Sequence, residues 1–136
     1  MSNLERTLSI IKPDAVEKNL IEEIKKIFNK NNLLIKDSKK IHITKDEAAE
    51  FYKVHQSKPF YNDLCAYLSS GPIIVMILEG IDAVKSNRKL MGATNPKEAD
   101  ENTIRKLYGI SIDKNSVHGS DSIDNAINEI NFFFKN

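Results

Sequence analysis

The sequence has a single cysteine, Cys65, in 136 residues, so no internal disulfide can form, and Cys and His nowhere fall at zinc-binding spacing. A reducing compartment fits such a chain. Charge of one sign is also lacking: 20 Lys and Arg against 19 Asp and Glu leave a formal net charge of +1 and no long like-charge run. A surface built for nucleic acid or an anionic membrane would carry a basic block, and none is present. No apolar run reaches the roughly 20 residues of a membrane span, and Met1 to Arg6 lacks the apolar segment of a signal peptide. The expectation is a soluble, cytoplasmic protein. The string Gly-x-x-x-x-Gly-Lys is absent, which excludes a P-loop and leaves side chains to hold any phosphate. Arginine is scarce, occurring only at Arg6, Arg88 and Arg105 in a lysine-rich chain. One reason to keep its planar fork is bidentate binding of phosphate oxygens, although no such role is expected for Arg6.

What is present fills one domain over residues 1–136. Arg6 to Lys12 reads as a strand that Pro13 stops, leaving Lys12 at a strand end. Leu20, Ile21, Ile24, Ile27 and Phe28 recur at helical spacing. Leu33 to Ile43 is extended, with His42 directed to solvent. Thr44 and Glu47 form a capping box ahead of a helix that runs to about Gln56, and Lys58 opens a second helix ending at Ser70-Gly71-Pro72. Pro72 to Leu78 is a continuous apolar run, the pattern of a strand covered on both faces. Asp82 to Leu90 is helical up to Gly92, and a long loop to Lys114 holds one helical turn near Thr103. A short strand and a last helix with Ile123, Ala126, Ile127, Ile130 and Phe134 inward complete the order. This βαββαβ order with additions predicts a ferredoxin-like α+β sandwich: a four-stranded antiparallel sheet with helices on one face.

The chemistry gathers at Asn115-Ser116-Val117-His118-Gly119-Ser120-Asp121. An imidazole on a short apolar-flanked segment is followed by a glycine and by a helix start, where unpaired N–H groups suit an anion. Neutral imidazole is a nucleophile near pH 7, so phosphate chemistry is one reading. A structural histidine at a strand end is the other.

The string Asn-x-x-His-Gly-Ser-Asp resembles the active-site signature of the nucleoside diphosphate kinases. The likeness extends along most of the chain, through Thr7-Leu8-Ser9-Ile10-Ile11-Lys12-Pro13-Asp14, Phe51-Tyr52, Lys58-Pro59-Phe60-Tyr61, Ser70-Gly71-Pro72, Asn87-Arg88, Met91 to Pro96 and Thr103-Ile104-Arg105. The resemblance implies His118 as the phosphorylated nucleophile and Glu129 as the carboxylate that orients its ring. It places Arg88, Thr94 and Arg105 on the nucleotide phosphates, and Lys12 with Asn115 on the sugar hydroxyl and the transferred group. Phe60 would stack on the base, with Leu64 and Ile112 opposite, and Tyr52 and Ser120 would support the histidine. No residue is expected as a dedicated metal ligand; Mg²⁺ would enter with the nucleotide. The resemblance further implies nucleoside di- and triphosphates as partners, and a tetramer or hexamer assembled from dimers. The chain departs from the family pattern at Glu22, Glu101-Asn102 and Leu107, none of them catalytic positions. Two rival functions remain at this point: a family member that has lost activity and serves a structural role, and a ferredoxin-like module for single-stranded nucleic acid, which would need exposed aromatics amid basic strands.

Overall fold

The computed structural model describes residues 4–112 and 114–134; Asp113, within the long loop, and the two ends lie outside them. Strand β1 (Leu4–Ile11) ends where Pro13 starts a short helix, α1 (Pro13–Glu17). Helix α2 (Ile21–Lys30) leads to β2 (Leu34–Ile41), and α3 (Lys45–Phe51) begins at the expected capping box between Thr44 and Glu47. Such a box contributes about 1 kcal/mol by satisfying two backbone N–H groups. Helix α3 is shorter than expected: a 3-10 turn, Lys53–His55, takes over before α4 (Tyr61–Leu68), which starts three residues past Lys58. Strand β3 (Ile73–Ile81) runs beyond Gly80 and is followed by α5 (Ala83–Met91), α6 (Ile104–Tyr108), β4 (Val117–Gly119) and α7 (Ile123–Phe133).

The strands form one antiparallel sheet in the order β2-β3-β1-β4, the ferredoxin-like arrangement. Helices cover both faces of it, which corrects the expectation of one. On one face α2 and α5 bring Ile24, Phe28, Ala83 and Met91 against Ile11, Ile74, Met76, Leu78 and Val117. On the other, α3, α4 and α7 bring Ala48, Tyr52, Cys65, Leu68 and Phe133 against Leu8, Ile10, Ile73 and Val75. The cause lies in β3, whose successive residues are all apolar, so that both of its faces must leave water. The helical hairpin and the last helix are the additions that cover the second face. Of the apolar stripe expected on α7, Ala126 is buried and Ile130 and Phe134 are partly buried, whereas Ile123 and Ile127 are each 54% exposed; Phe133, which that stripe did not include, is buried instead. Among the described residues, no helix is long and apolar enough to cross a membrane.

Strand β4 is the edge that matters, because three residues there pair with Ser9, Ile10 and Ile11 and hold His118 in register opposite Ile10. The backbone at Gly119 lies against α5: a Cβ there would sit 2.4 Å from Asn87 Nδ2 and 2.8 Å from Met91 Sδ, both buried. Glycine is needed for that approach. We expect Gly119→Ala to push α5 off the sheet and to cost roughly 1–3 kcal/mol, as overpacking does. Urea unfolding checks this, and an unchanged midpoint would show that the helix simply gives way.

Candidate active site

Because β4 is an edge strand, side chains from both faces of the sheet meet around His118. A cavity of about 550 Å³ opens there, lined by Phe51 and Tyr52 from one side, Arg88 and Met91 from the other, Thr94 and Arg105 from the loop segment, and Asp121 and Glu129 from the chain beyond β4. That volume suits a small-molecule site, for which roughly 300–1,000 Å³ is usual.

The histidine is held by a chain of hydrogen bonds. Nε2 of His118 lies 3.0 Å from Glu129 Oε1, and Ser120 Oγ donates to the same oxygen at 2.8 Å. Ser120 Oγ in turn accepts from the Leu8 backbone N–H at 3.3 Å. The carboxylate thus favours the tautomer with the proton on Nε2, which leaves the lone pair on Nδ1. Among the described residues nothing bonds Nδ1.

Two guanidinium groups face the same cavity. Arg88 reaches it from the last turn of α5, and Arg105 sits buried in α6. Arg105 donates from Nη1 to the Gly92 carbonyl and from Nη2 to the Val117 carbonyl, each at 3.0 Å. It therefore braces the end of α5 against β4, while its Nε finds no acceptor among the described residues. Burial, and then the nearby Arg88 charge, pull the Arg105 guanidinium down to about 10, so it stays charged at neutral pH under repulsion. An anion placed between the two groups would relieve that repulsion. Burial, followed by the Glu129 charge, raises the Tyr52 phenol above its usual range, so it remains a protonated donor.

Lys12 and Asn115 lie behind the cavity wall. Lys12 Nζ donates to Asn115 Oδ1 at 2.9 Å, and Asn115 Nδ2 donates to the Thr94 carbonyl at 3.0 Å. The segment is set by Ser116, whose φ of 76° falls in the left-handed region, at a cost of order 1–3 kcal/mol for a residue with a Cβ. Three contacts hold it there: Val117 N–H donates to the Asn115 carbonyl at 2.9 Å, Lys12 N–H to the Ser116 carbonyl at 2.8 Å, and Ser116 Oγ to Asp14 Oδ2 at 3.3 Å.

A family model described as nucleoside diphosphate kinase matches residues 5–136. The chain belongs to the nucleoside diphosphate kinase family. Membership makes it an enzyme of nucleotide phosphoryl transfer, and neither rival reading is favoured. It is 58% identical to a nucleoside diphosphate kinase of Campylobacter curvus, over 96% of both chains, and 56% identical to one of Helicobacter hepaticus, also over 96% of both. Its fold is similar to that of the Aquifex aeolicus nucleoside diphosphate kinase, with a TM-score of 0.95 and 41% identity over 97% of this chain and 96% of that one. The Encephalitozoon cuniculi nucleoside diphosphate kinase superposes with a TM-score of 0.94 and 38% identity, over 97% of this chain and 90% of that one.

Of the residues singled out in the nucleoside diphosphate kinase motifs, the structure brings Tyr52, Arg88, Thr94, Arg105, His118 and Glu129 to one cavity. Ser120 touches it through Glu129, and Lys12 and Asn115 adjoin it through Thr94. Phe60 is not on the cavity wall. It stands 43% exposed before α4, with its ring 6.2 Å from that of His55 and under the Lys58 ammonium at 5.7 Å. Leu64 and Ile112 do not line the cavity either. Asp121 and Phe51 are among the wall residues to which the sequence gives no role. Asp121 follows the histidine by three residues; Asn125 first, then Arg88, hold its carboxylate below the usual range. Phe51 packs edge-on to the imidazole. The Ser-Asp pair of the heptapeptide was a signal for the first, but the α-helical position of Phe51 was none for the second.

We expect Arg88→Ala to leave the ligand-free protein as stable as the parent, since it removes a like charge beside Arg105. Nucleoside diphosphate affinity should fall about tenfold or more, near 1.4 kcal/mol. Thermal unfolding with and without nucleotide measures both quantities. A lowered Tm without ligand, together with a full nucleotide-induced rise, would make Arg88 structural.

Proposed function

We propose that the chain moves the γ-phosphoryl group of a nucleoside triphosphate, typically ATP, to a nucleoside diphosphate through a phosphohistidine on His118. The observation that carries this reading is the imidazole held at Nε2 by Glu129, with Nδ1 left to a cavity that two arginines share. In the first half-reaction the Nδ1 lone pair attacks the γ-phosphorus, the bond to the bridging oxygen breaks, and the diphosphate leaves. The Nε2 proton stays on the ring, so a cation develops beside the Glu129 carboxylate, which stabilises it. A second diphosphate then attacks the phosphorus in the same site and the ring returns to neutral. Arg88 and Arg105 neutralise charge on the phosphoryl oxygens and fix their position, the main contribution that phosphoryl transfer asks of a protein. Lys12 and Asn115, joined to each other, act on the sugar hydroxyl and the transferred group, Thr94 on the phosphates, and Tyr52 beside the histidine.

Magnesium belongs to the substrate in this scheme. Among the described residues no group of three or more His, Cys, Asp or Glu comes together to hold a metal ion, and the cavity offers Asp121 as one carboxylate beside the arginines. That donor set fits an ion carried on phosphate oxygens, since Mg²⁺ keeps several waters and takes one or two protein carboxylates at most. The base would lie outside the cavity, against the exposed ring of Phe60. A stacked base with no hydrogen-bonded edge is read only weakly, so purine and pyrimidine diphosphates would both serve.

Two broader readings complete the proposal. The chain works in the cytoplasm as a single domain. It also assembles as a homo-oligomer from dimers, and the physical motive is β2, an edge strand with Leu34 56% exposed and no strand on its outer side among the described residues. Sedimentation over a concentration series tests the assembly, with a dimer or a multiple of it expected; a monomer at micromolar concentration sinks this part of the proposal.

The phosphohistidine is tested with labelled ATP and no acceptor. Parent protein should hold acid-labile, base-stable label, and His118→Ala should hold none. Glu129→Gln should label at least about tenfold more slowly, roughly 1.4 kcal/mol of lost transition-state stabilisation, with nucleotide binding nearly unchanged. Label persisting in His118→Ala refutes the carrier, and a parental rate in Glu129→Gln removes the carboxylate from the mechanism.

A further inference from the structure

The Glu129 hydrogen bond grips the imidazole of His118 at one atom, Nε2. A single bond in the ring plane leaves the ring able to swing about that atom. A second grip comes from Phe51, the last residue of α3, whose ring centroid lies 5.3 Å from that of His118 with the planes at 74°. Phe51 is itself fixed from behind: its ring is 5.1 Å from Tyr52, 5.6 Å from Phe132 and 5.1 Å from Phe133. It is half-buried and forms part of the cavity wall, so its ring meets the imidazole on one side and a packed aromatic cluster on the other.

We propose that Phe51 is a positioning residue for the phosphorylated form of His118, fixing the ring edge-on and denying water a place beside the P–N bond until a diphosphate arrives. This rests on the reading of His118 as phosphoryl carrier. Phosphorylation at Nδ1 with the proton kept on Nε2 gives a cationic ring, which is a good leaving group toward any nucleophile. Water is the nucleophile always at hand. If it attacks, a new P–O bond forms as the P–N bond breaks. The electron pair returns to Nδ1, inorganic phosphate leaves with the water's oxygen, and the triphosphate has been spent with no product triphosphate made. Glu129 stabilises the cation but does nothing to choose between water and a diphosphate. An apolar ring against the imidazole does choose. It offers an attacking water no hydrogen-bond partner on that flank, whereas a diphosphate arrives already held by Arg88 and Arg105. The same ring limits how far the imidazole can swing about Nε2 within the cavity that Arg88 and Arg105 share.

The test uses the full chain, labelled from ATP, freed of nucleotide by rapid desalting, and followed for release of inorganic phosphate. In Phe51→Leu, which keeps apolar bulk and removes the ring, label should still reach His118 but be lost to water about tenfold faster than in the parent. KM for the diphosphate should stay close to parental, because in the proposed pose Arg88 and Arg105 hold its phosphates and Phe60 its base. Phe51→Met provides a second ringless variant should the first fold poorly, and is expected to shorten the lifetime similarly. Phe133→Leu thins the same cluster without touching His118, so it should lower the urea midpoint and keep the parental lifetime. Parental lifetimes in both Phe51 variants, or an equal shortening in Phe133→Leu, would overturn the proposal while leaving the phosphohistidine intact. A parent that takes no label, or equal labelling of His118→Ala, would instead bring down the carrier reading and this inference with it.

Discussion

Three residue pairs, Ser9 with Gly119, Ile10 with His118 and Ile11 with Val117, carry the rest of the site. A longer strand at that edge would bury the histidine between layers, and no strand would leave it on a loop. Three residues are enough to set the register and few enough that the sheet ends beside the imidazole. Groups from opposite faces can therefore reach one cavity: Arg88 from the helix on one side, Tyr52 and Phe51 from the hairpin on the other. Gly119 completes the arrangement by letting α5 come close enough for its last turn to look onto the same space.

Around that edge the structure holds charge under tension. Two arginines stand near each other with one of them buried, and Ser116 keeps a left-handed backbone that its own side chain would disfavour. Both features are held by hydrogen bonds from elements far apart in sequence: Arg105 to the carbonyls of Gly92 and Val117, Ser116 to Asp14 and Lys12. Such arrangements persist only where surrounding structure over-determines them, and they sit where a phosphate-bearing ligand would relieve the repulsion. The histidine itself is anchored more quietly, through Glu129 and Ser120 to the Leu8 N–H of β1, so its orientation follows from the sheet and not from a mobile loop.

Much of this could be read along the chain. The continuous apolar run from Ile73 to Leu78 is legible because every residue in it must leave water; the Thr44 to Glu47 box is legible because both of its bonds are local. The two-sided layering is less legible, because periodicity says that a face is buried and not which helix buries it, although that same run calls for cover on both faces. Lys58-Pro59 favours a helix start, yet after the 3-10 turn at Lys53–His55 the helix begins only at Tyr61. In the site, helical spacing by itself puts Glu129 on one stripe with Ser122 and Asn125, and the contact with His118 sets it apart from them. Phe51 was unremarkable for the same reason, an aromatic beside another aromatic on a helix.

By itself the sequence determined the element order, the absence of a P-loop, and a histidine set between a short apolar segment and a helix start. These are matters of local chemistry: hydrogen-bonding capacity, side-chain period and backbone freedom within a few residues. The tertiary structure alone decided that Lys12 meets Asn115, that Arg105 spends two of its donors on backbone carbonyls, that Phe60 stands apart from the cavity, and that Phe51 lies against the imidazole. Those contacts join residues from 12 to 103 positions apart. Which of them form depends on how closely two packed layers approach at one sheet edge, a distance set by the summed volume of the core and by one glycine that no local pattern encodes.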